Sequence, residues 1–290
     1  DVLPEYLGRF LKSKSQYLRD QCTGATIPHI SGQVLKNIQM PIPAIEVQKI
    51  IVEKLDHADS IRFKRKQAIS LLDNYMKSIF LEMFGEPLEN PFGFKVDEIG
   101  NIISEIKAGW SALGESRPAL NNEFGVLKIS AVTAGVFKPI ENKYVANTVG
   151  KALVTPKKGD LLFSRANTRE LVAATCVVDS NYENLFLPDK LWKITPKVNA
   201  SNAWFLHFLI SNEKLRDVLR AKATGSSGSM LNISQQKFIS TKCYVPPIDL
   251  QIKFSEIVEK TQLVRSNMLL QSQELENQFQ ALMQKAFTSN

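Results

Sequence analysis

A short segment centred on residue 165 places several hydrogen-bonding side chains next to one another. Ser164-Arg165-Ala166-Asn167-Thr168 follows an apolar run of strand character, so we expect it to form an exposed turn. Arginine can donate two hydrogen bonds to guanine, asparagine can pair in the same way with adenine, and hydroxyl groups bind phosphate oxygens. The segment therefore predicts a DNA-contacting turn at Ser164, Arg165, Asn167 and Thr168.

Other basic, aromatic and hydroxyl residues extend this candidate set. A loop of small polar residues at 224–229, preceded by two basic residues, suits contact with phosphate groups. The additional candidates are Lys107, Trp110, Lys128, Lys190, Arg220, Lys222, Ser226 and Ser227. Each has an ordinary alternative, because Trp110 can belong to a core, lysines are common on surfaces, and the loop can be a plain connection.

Each catalytic pattern sought in the sequence is incomplete. Residues 90–93, Asn-Pro-Phe-Gly, lack the second proline of the amino-methyltransferase motif, and no glycine-rich loop for S-adenosylmethionine accompanies them. Gly150-Lys151 lacks the earlier glycine and the following hydroxyl residue of a phosphate-binding loop. The three cysteines and three histidines are dispersed and do not form a zinc ligand set. We therefore expect no catalytic residues, no metal site and no bound cofactor.

The composition sets broad limits on the class of protein. The 290 residues include 36 Lys and Arg against 29 Asp and Glu, and the formal net charge of +7 permits nucleic-acid binding without proving it. A hydrophobic content of 44% indicates a folded protein. No apolar run approaches the ~20 residues that cross a bilayer, and no signal peptide is recognisable, so a cytoplasmic protein is expected. Asp1 in place of Met suggests a trimmed chain.

An internal repeat with an offset of 203 residues organises the chain. Identical residues coincide at this offset without a gap. They are Ile30/Ile233, Ser31/Ser234, Gln33/Gln236, Pro43/Pro246, Ile45/Ile248, Gln48/Gln251, Glu53/Glu256, Arg62/Arg265 and Phe84/Phe287. In each copy an apolar, strand-like run containing proline, at 40–43 and 244–247, leads into a long helical pattern with an acidic residue in its first turn.

The two helical patterns share a seam whose residues are spaced alternately by four and three positions. The seam residues are Ile51, Leu55, Ala58, Arg62, Arg65, Ile69, Leu72, Met76, Ile79 and Met83 in the first helix, and Phe254, Val258, Thr261, Arg265, Met268, Ser272, Leu275, Phe279, Leu282 and Ala286 in the second. Such spacing is typical of helices packed along their length. A helix of this extent measures roughly 50 Å, which favours a spacer pair over two ordinary core helices.

Between the helical patterns, short apolar runs separated by turn residues predict a mixed α/β domain of about 160 residues. Strands are expected at 126–130, 160–164, 171–178 and 191–194, and helices at 97–106 and 202–223. Residues 6–19 resemble residues 202–220, so residues 1–45 correspond to the tail of a second such domain. The prediction is an α+β protein divided at 1–45, 46–86, 87–247 and 248–290.

With these elements in place, the chain resembles the specificity (S) subunit of type I restriction-modification systems. Residues 42–48, IPAIEVQ, and residues 245–251, VPPIDLQ, look like the strand-proline-helix entry to the conserved regions of that family. Residues 79–91 are similar to its exit into a target recognition domain, and residues 159–165 to the middle of that domain. The resemblance extends over nearly the whole chain, and its specificity lies in the combination of segments.

The resemblance implies a non-catalytic reader of double-stranded DNA. In this family two target recognition domains each read half of a split site, and two long helices packed as an antiparallel, coiled-coil-like spacer separate them. Modification (methyltransferase) subunits dock on the helices, and restriction (motor-nuclease) subunits join to cut DNA. S-adenosylmethionine, ATP and Mg²⁺ are therefore expected on partner subunits. Because only one recognition domain is complete here, self-association of half subunits stays open.

Alternatives from other classes also fit parts of the pattern. A closely related one is the specificity subunit of a two-subunit enzyme that cleaves on both sides of its site. A coiled-coil scaffold that binds only protein would explain the helices equally well, but not the turn at Arg165. A small methyltransferase would have to bind S-adenosylmethionine by itself.

Overall fold

A computed structural model of the chain describes residues 1–23, 29–225 and 230–288. The chain divides into two compact units. Unit 1 consists of Asp1–Asn74 with Thr261–Asn290, and unit 2 consists of Tyr75–Lys260. Across the described residues, no helix is long and apolar enough to span a membrane.

The helices and strands follow one another in an α-rich start, a β-rich middle and a long terminal helix. The helices are α1 (Pro4–Ser13), α2 (Ser15–Asp20), α3 (Gly32–Lys36), α4 (Ile45–Phe84), α5 (Ile99–Ile102), α6 (Ala203–Ser211), α7 (Glu213–Lys222), α8 (Gln235–Ile239) and α9 (Ile248–Phe287). The strands are β1 (Lys95–Glu98), β2 (Ile103–Ala108), β3 (Phe124–Leu127), β4 (Asn142–Val145), β5 (Leu161–Ser164), β6 (Ala166–Asn167), β7 (Thr175–Val177), β8 (Leu185–Phe186), β9 (Leu191–Pro196), β10 (Leu231–Asn232) and β11 (Lys242–Val245).

Unit 1 contains an antiparallel pair formed by residues 45–74 of α4 and residues 261–287 of α9. Arg62 pairs with Glu276, whereas the later Asp73 pairs with the earlier Arg265, which fixes the antiparallel direction. The apolar core of this unit lies where the pair meets α1. It consists of Tyr6, Phe10, Leu55, Phe279, Met283 and Phe287. The predicted antiparallel packing is therefore confirmed.

Unit 2 has an aromatic core to which the end of α4 and the start of α9 both contribute. The ring of Phe254 lies 5.6 Å from that of Phe80 and 5.3 Å from that of Phe84, and Phe205 of α6 packs against Phe84. Helix α4 ends at Phe84 because Gly85 adopts a φ of +71°, and a Cβ at this glycine would lie 2.2 Å from the Pro91 side chain.

Where the structure describes unit 2, its strands form two small sheets and two strand pairs. The larger sheet has the strand order β2-β9-β5-β7 and is antiparallel throughout, and the smaller has the order β4-β3-β8, with β3 and β8 parallel. Strands β1 and β11 form one further pair, and β6 and β10 form the other. This arrangement of helices and sheets confirms the predicted α+β class.

The internal repeat is visible as repeated local structure within each unit. Ser31 caps α3 by accepting a hydrogen bond from the Val34 N–H, and Ser234 caps α8 in the same way. Thr23 and His29 exchange a pair of backbone hydrogen bonds, and Asn232, the counterpart of His29 at the repeat offset, exchanges a similar pair with Thr224. The two segments therefore fold alike although they belong to different units.

A buried glutamine makes the clearest repeated contact. The side chain of Gln48 donates to the carbonyls of Pro43 (2.8 Å) and Asp1 (3.0 Å) and accepts from the Leu3 N–H. In unit 2, Gln251 makes three bonds in the same pattern. It donates to Pro246 O (2.9 Å) and Ala200 O (3.0 Å) and accepts from Asn202 N (3.3 Å). We call these two contacts the glutamine clasps. Each fastens the start of a domain helix to the start of a long helix.

Several predicted elements differ from those observed. The helix expected at 97–106 is β1, the single turn α5 and β2, because Ile99 and Ile102 are buried while the flanking residues join sheets. The helix expected at 202–223 is broken at Asn212, whose side chain caps α7. Residues 40–43 form no strand, in contrast to β11 in the second copy.

The predicted seam also needs a correction near the end of α9. Leu282 was expected to face α4, but it is exposed, and Met283 is buried in the unit 1 core instead. The buried positions there, Phe279, Met283 and Phe287, are four apart, so the strict alternation of four and three ends before this turn. The two long helices begin at residues 45 and 248, within one residue of their predicted starts.

Candidate nucleic-acid interface

The loop between β8 and β9, residues 187–190, organises the candidate site. Arg165 follows β5, and its backbone N–H donates to Lys190 O at 3.1 Å. Its side-chain Nε donates to Asp189 O at 2.7 Å, and its Nη2 lies 3.5 Å from the Asp189 carboxylate. These contacts hold the guanidinium in one orientation at the surface of unit 2, where 28% of the Arg165 side chain is exposed.

Trp110 contacts the first residue of the same loop, Leu187. Its backbone N–H donates to Leu187 O at 2.9 Å, and its ring stacks on Phe186 with a centroid distance of 5.8 Å. The Lys151 ammonium lies 5.1 Å from the centre of the Trp110 ring, within cation–π range. A Cβ on Gly109 would lie 1.7 Å from Leu187 O, so this close approach requires glycine. Trp110 is partly buried and rests on core residues while remaining accessible.

The turn after Arg165 is held by a short strand pair. Asn167 pairs with Leu231 of β10, and its side-chain oxygen accepts from the Thr168 N–H at 2.9 Å. The side-chain amide of Asn167 is 3.5 Å from the Ser164 hydroxyl. Ser164 is fully buried, so the expectation that its hydroxyl is presented on an exposed turn is wrong. Thr168 is exposed, and Asn167 is partly so.

Three predicted lysines differ in their surroundings. Lys107 of β2 precedes Trp110 and forms an ion pair with Glu105 at 2.9 Å, leaving half of its side chain exposed. Lys190 belongs to the organising loop itself. Lys128 follows β3 of the smaller sheet, where it lies 3.7 Å from the Glu141 carboxylate. Lys190 is therefore bonded to Arg165 through its carbonyl and Lys107 lies three residues before Trp110, whereas the contacts of Lys128 are with Glu141 beside the other sheet.

Two residues expected to contact phosphate groups, Arg220 and Lys222, instead bond to other parts of the chain, which corrects the expectation. The Arg220 guanidinium is largely buried, bonds to Glu170 O at 3.0 Å and pairs with Asp217 at 2.9 Å and with Glu213. The Lys222 ammonium donates to the Thr241 hydroxyl at 2.8 Å. Both stabilise the packing of α7 against neighbouring segments. Ser226 and Ser227 lie outside the described residues.

The structure adds two residues, Ser111 and Asp189, that the predicted DNA-binding set does not contain. The Ser111 hydroxyl donates to the Asp189 carboxylate, and the Asp189 N–H donates back to Ser111 Oγ at 3.4 Å. Asp189 therefore lies between Arg165 and the residue that follows Trp110. A single acidic residue in a loop carries no sequence signal of its own, and only the fold brings it to Arg165.

Comparisons with known proteins agree with this fold. Residues 1–71 match the family model described as type I restriction modification DNA specificity domain. The chain is 29% identical over 176 residues to the type I restriction enzyme EcoEI specificity subunit of Escherichia coli, a match that covers 60% of this chain and 30% of that protein. It is 25% identical over 280 residues to the EcoKI specificity subunit of E. coli strain K12, covering 89% of this chain and 58% of that protein. The chain is thus similar to type I specificity subunits over part of their length.

Two solved structures share the fold of this chain. The crystal structure of a type I restriction-modification S subunit from M. genitalium aligns with 99% of this chain and 73% of its own, with a TM-score of 0.59 and 16% identity. A structure from a study of complex assembly in a type I R-M system aligns with 99% of this chain at a TM-score of 0.57 and 18% identity. The chain spans 30% of the length of the EcoEI protein and 58% of that of the EcoKI protein.

Burial shifts the pKa values of three side chains of unit 2 away from neutral pH. Burial lowers the pKa of His207 to about 4, and its ring contacts the Thr175 hydroxyl. Burial raises the pKa of the Cys243 thiol to about 12, and it also raises that of Cys176. Among the described residues, no group of three or more His, Cys, Asp or Glu side chains could hold a metal ion.

Proposed function

We propose that the chain is a DNA recognition subunit of a type I restriction-modification complex and reads one half of a bipartite target. The single observation that carries the proposal is that one loop of unit 2, residues 187–190, bonds to both Arg165 and Trp110, with Lys190 in the loop itself and Asn167 two residues after Arg165. The relationship to type I specificity subunits supports it from a separate direction.

The chemistry of this surface suits both parts of DNA recognition. The Arg165 guanidinium is fixed by two contacts and can offer its remaining donors to a guanine edge, while Asn167 can pair with adenine. Lys107, Lys151 and Lys190 supply positive charge for phosphate groups, which strengthens binding without selecting a sequence. Base contacts and phosphate contacts would thus come from neighbouring positions of the same domain.

The long helices provide a surface for partner subunits. In unit 1, Leu71, Leu263 and Leu270 are large apolar side chains with more than half of their surface exposed. Exposed apolar residues that share one helix face are typical of a protein interface, and Leu263 and Leu270, seven positions apart, lie on the same face of α9. We infer that modification (methyltransferase) subunits dock there and supply the S-adenosylmethionine chemistry. Restriction subunits that need ATP and Mg²⁺ would join the same complex in the cytoplasm. The chain itself is then non-catalytic.

The exposure of an apolar residue within residues 1–45 favours the presence of a second recognition domain of the same architecture. Leu35 is 44% exposed, whereas its counterpart at the repeat offset, Phe238, is fully buried and lies 4.7 Å from Phe163 of β5. The first copy therefore has the helices of such a domain and an apolar position that a sheet like β5 and β9 would cover. We infer that a further recognition domain, from this polypeptide or from another half subunit, belongs there.

Selection from a random DNA pool tests the proposed function. The full chain, alone and with a modification subunit, should enrich a defined sequence. Arg165→Ala combined with Asn167→Ala should abolish that enrichment and leave salt-dependent, non-specific binding largely intact. Arg169→Ala is the matched control, because this exposed arginine lies on the same turn. It should weaken binding to all sequences equally. Absence of DNA affinity even at low salt with the partner present would contradict the proposal and favour a protein scaffold.

A further inference from the structure

Asp189 is an acidic residue at the centre of a surface otherwise suited to binding DNA. Its side chain is 46% exposed, and its carboxylate lies 3.5 Å from Arg165 Nη2. An exposed carboxylate opposes the approach of phosphate groups, so its position beside the best candidate for base contact needs a compensating role.

The contacts of Arg165 indicate what that role is. A guanidinium has five N–H donors, and here the edge formed by Nε and Nη2 is occupied by the carbonyl and the carboxylate of Asp189. The end of the fork, formed by Nη1 and the outer hydrogen of Nη2, is left for another acceptor pair. That is the pair of parallel donors that matches O6 and N7 of guanine.

The carboxylate is itself held in place. Ser111 donates its hydroxyl proton to Asp189, and the Asp189 N–H returns a bond to Ser111 Oγ at 3.4 Å. Ser111 follows Trp110, whose main chain is bonded to Leu187 of the same loop. The direction of the Arg165 side chain is therefore connected through Asp189 and Ser111 to the segment that carries Trp110.

We propose that Asp189 is a positioning residue that determines base specificity by orienting Arg165, with Ser111 fixing the carboxylate. This inference rests on the proposed function and deepens it at the same site. Asp189 lowers the general attraction of the surface for DNA and in return restricts Arg165 to one geometry. Discrimination between bases improves while affinity for arbitrary sequences falls.

The test compares base preference with overall affinity in the full chain bound to its modification subunit. Asp189→Asn keeps the size of the side chain and an acceptor for Ser111, but it removes the charge facing Arg165. We expect the preference at the base position that depends on Arg165 to fall about fivefold to tenfold, since one good base contact contributes at least that much. Binding to non-specific DNA should become a few-fold tighter because a repelling charge is lost.

Two further variants separate positioning from a general structural effect. Combining Asp189→Asn with Arg165→Ala should give the same base preference as Arg165→Ala alone, because the aspartate acts only through the arginine. Glu183→Gln removes an exposed carboxylate from the same domain and should leave the preference unchanged. The tighter non-specific binding of Asp189→Asn also reports that this variant is folded.

The possible failures are distinguishable. If the wild-type complex selects a sequence and Arg165→Ala erases one position of it, but Asp189→Asn changes that position less than twofold, the positioning role is overturned and the proposed function stands. An additive loss in the double variant overturns it as well. If the wild-type complex selects no sequence from the pool, the proposed function fails and the role of Asp189 fails with it.

Discussion

Replacing Gln251 by methionine should destabilise unit 2 strongly, because its clasp contains three hydrogen bonds in a fully buried position. Methionine has nearly the same length and shape as glutamine, so the packing volume is kept. It can neither donate to the carbonyls of Ala200 and Pro246 nor accept from the Asn202 N–H. The substitution therefore tests the hydrogen bonds separately from the cavity that alanine would create.

The expected magnitude follows from the groups left without partners. A buried donor or acceptor that loses its partner costs about 1–3 kcal/mol. Three such groups are affected, but carbonyl oxygens tolerate the loss better than N–H groups, so we expect a total of about 3 kcal/mol. With a urea dependence of about 2 kcal/mol per M, the unfolding midpoint of unit 2 should fall by about 1.5 M.

The tryptophans provide an assay that is specific to this unit. All three, Trp110, Trp192 and Trp204, belong to unit 2, so tryptophan fluorescence follows its unfolding. Gln48→Met is the matched control, because it breaks the equivalent clasp in unit 1. It should shift the fluorescence midpoint much less than Gln251→Met does, while far-UV circular dichroism records its effect on the helices.

An unchanged fluorescence midpoint in Gln251→Met would refute the reasoning, because it would mean that the buried bonds add nothing to the stability of the domain. An equal shift in both variants would refute the assignment of the two clasps to separate units. Denaturant slopes that agree between wild type and variants are needed for this comparison, since a changed slope indicates a different unfolded or native state.

Two further predictions concern a buried histidine and an arginine that forms ion pairs between the long helices. The pKa of His207 is about 4 in the folded chain, so only the unfolded chain gains a proton between about pH 6.5 and 4. The free energy of unfolding should therefore decrease as the pH is lowered, by about 2 kcal/mol between pH 7.5 and pH 5. Urea titrations at both pH values should show a smaller loss in His207→Gln, and an equal loss would contradict this origin. In unit 1, Arg62 pairs with Asp59 and Glu276 and lies 4.0 Å from the centre of the Phe279 ring. Arg62→Met should cost about 1–2 kcal/mol by circular dichroism, a difference that shrinks in high salt if the ion pairs cause it.

The parts of the fold that the sequence predicts well are those that it specifies twice. The coincidence of Gln48 with Gln251, and of Ser31 with Ser234, marks residues that make the same bonds in each copy. The long helices are likewise specified by a periodic pattern over 40 residues each. Such signals are local and regular, so they can be recognised without knowing the tertiary structure.

The candidate site could be predicted only in part, because it is assembled from distant segments. Arg165 and Asn167 are marked by their own chemistry, but the carbonyl that captures Arg220 belongs to Glu170, fifty positions earlier. In the same way, Ser111 meets Asp189 across 78 positions. A basic residue beside a polar loop looks the same in sequence whether it faces solvent or an internal carbonyl, and only long-range packing decides between them.

The glutamine clasps have a consequence for how such a protein changes over generations. All their partners are main-chain atoms. Gln251 bonds to the carbonyls of Ala200 and Pro246 and to the N–H of Asn202. Gln48 bonds to the carbonyls of Asp1 and Pro43 and to the N–H of Leu3. Every amino acid offers the same carbonyl, and all but proline offer the N–H. The anchorage is therefore indifferent to the side chains of the domain it holds, and that domain can accumulate substitutions, or be exchanged for a divergent one, while its attachment stays the same.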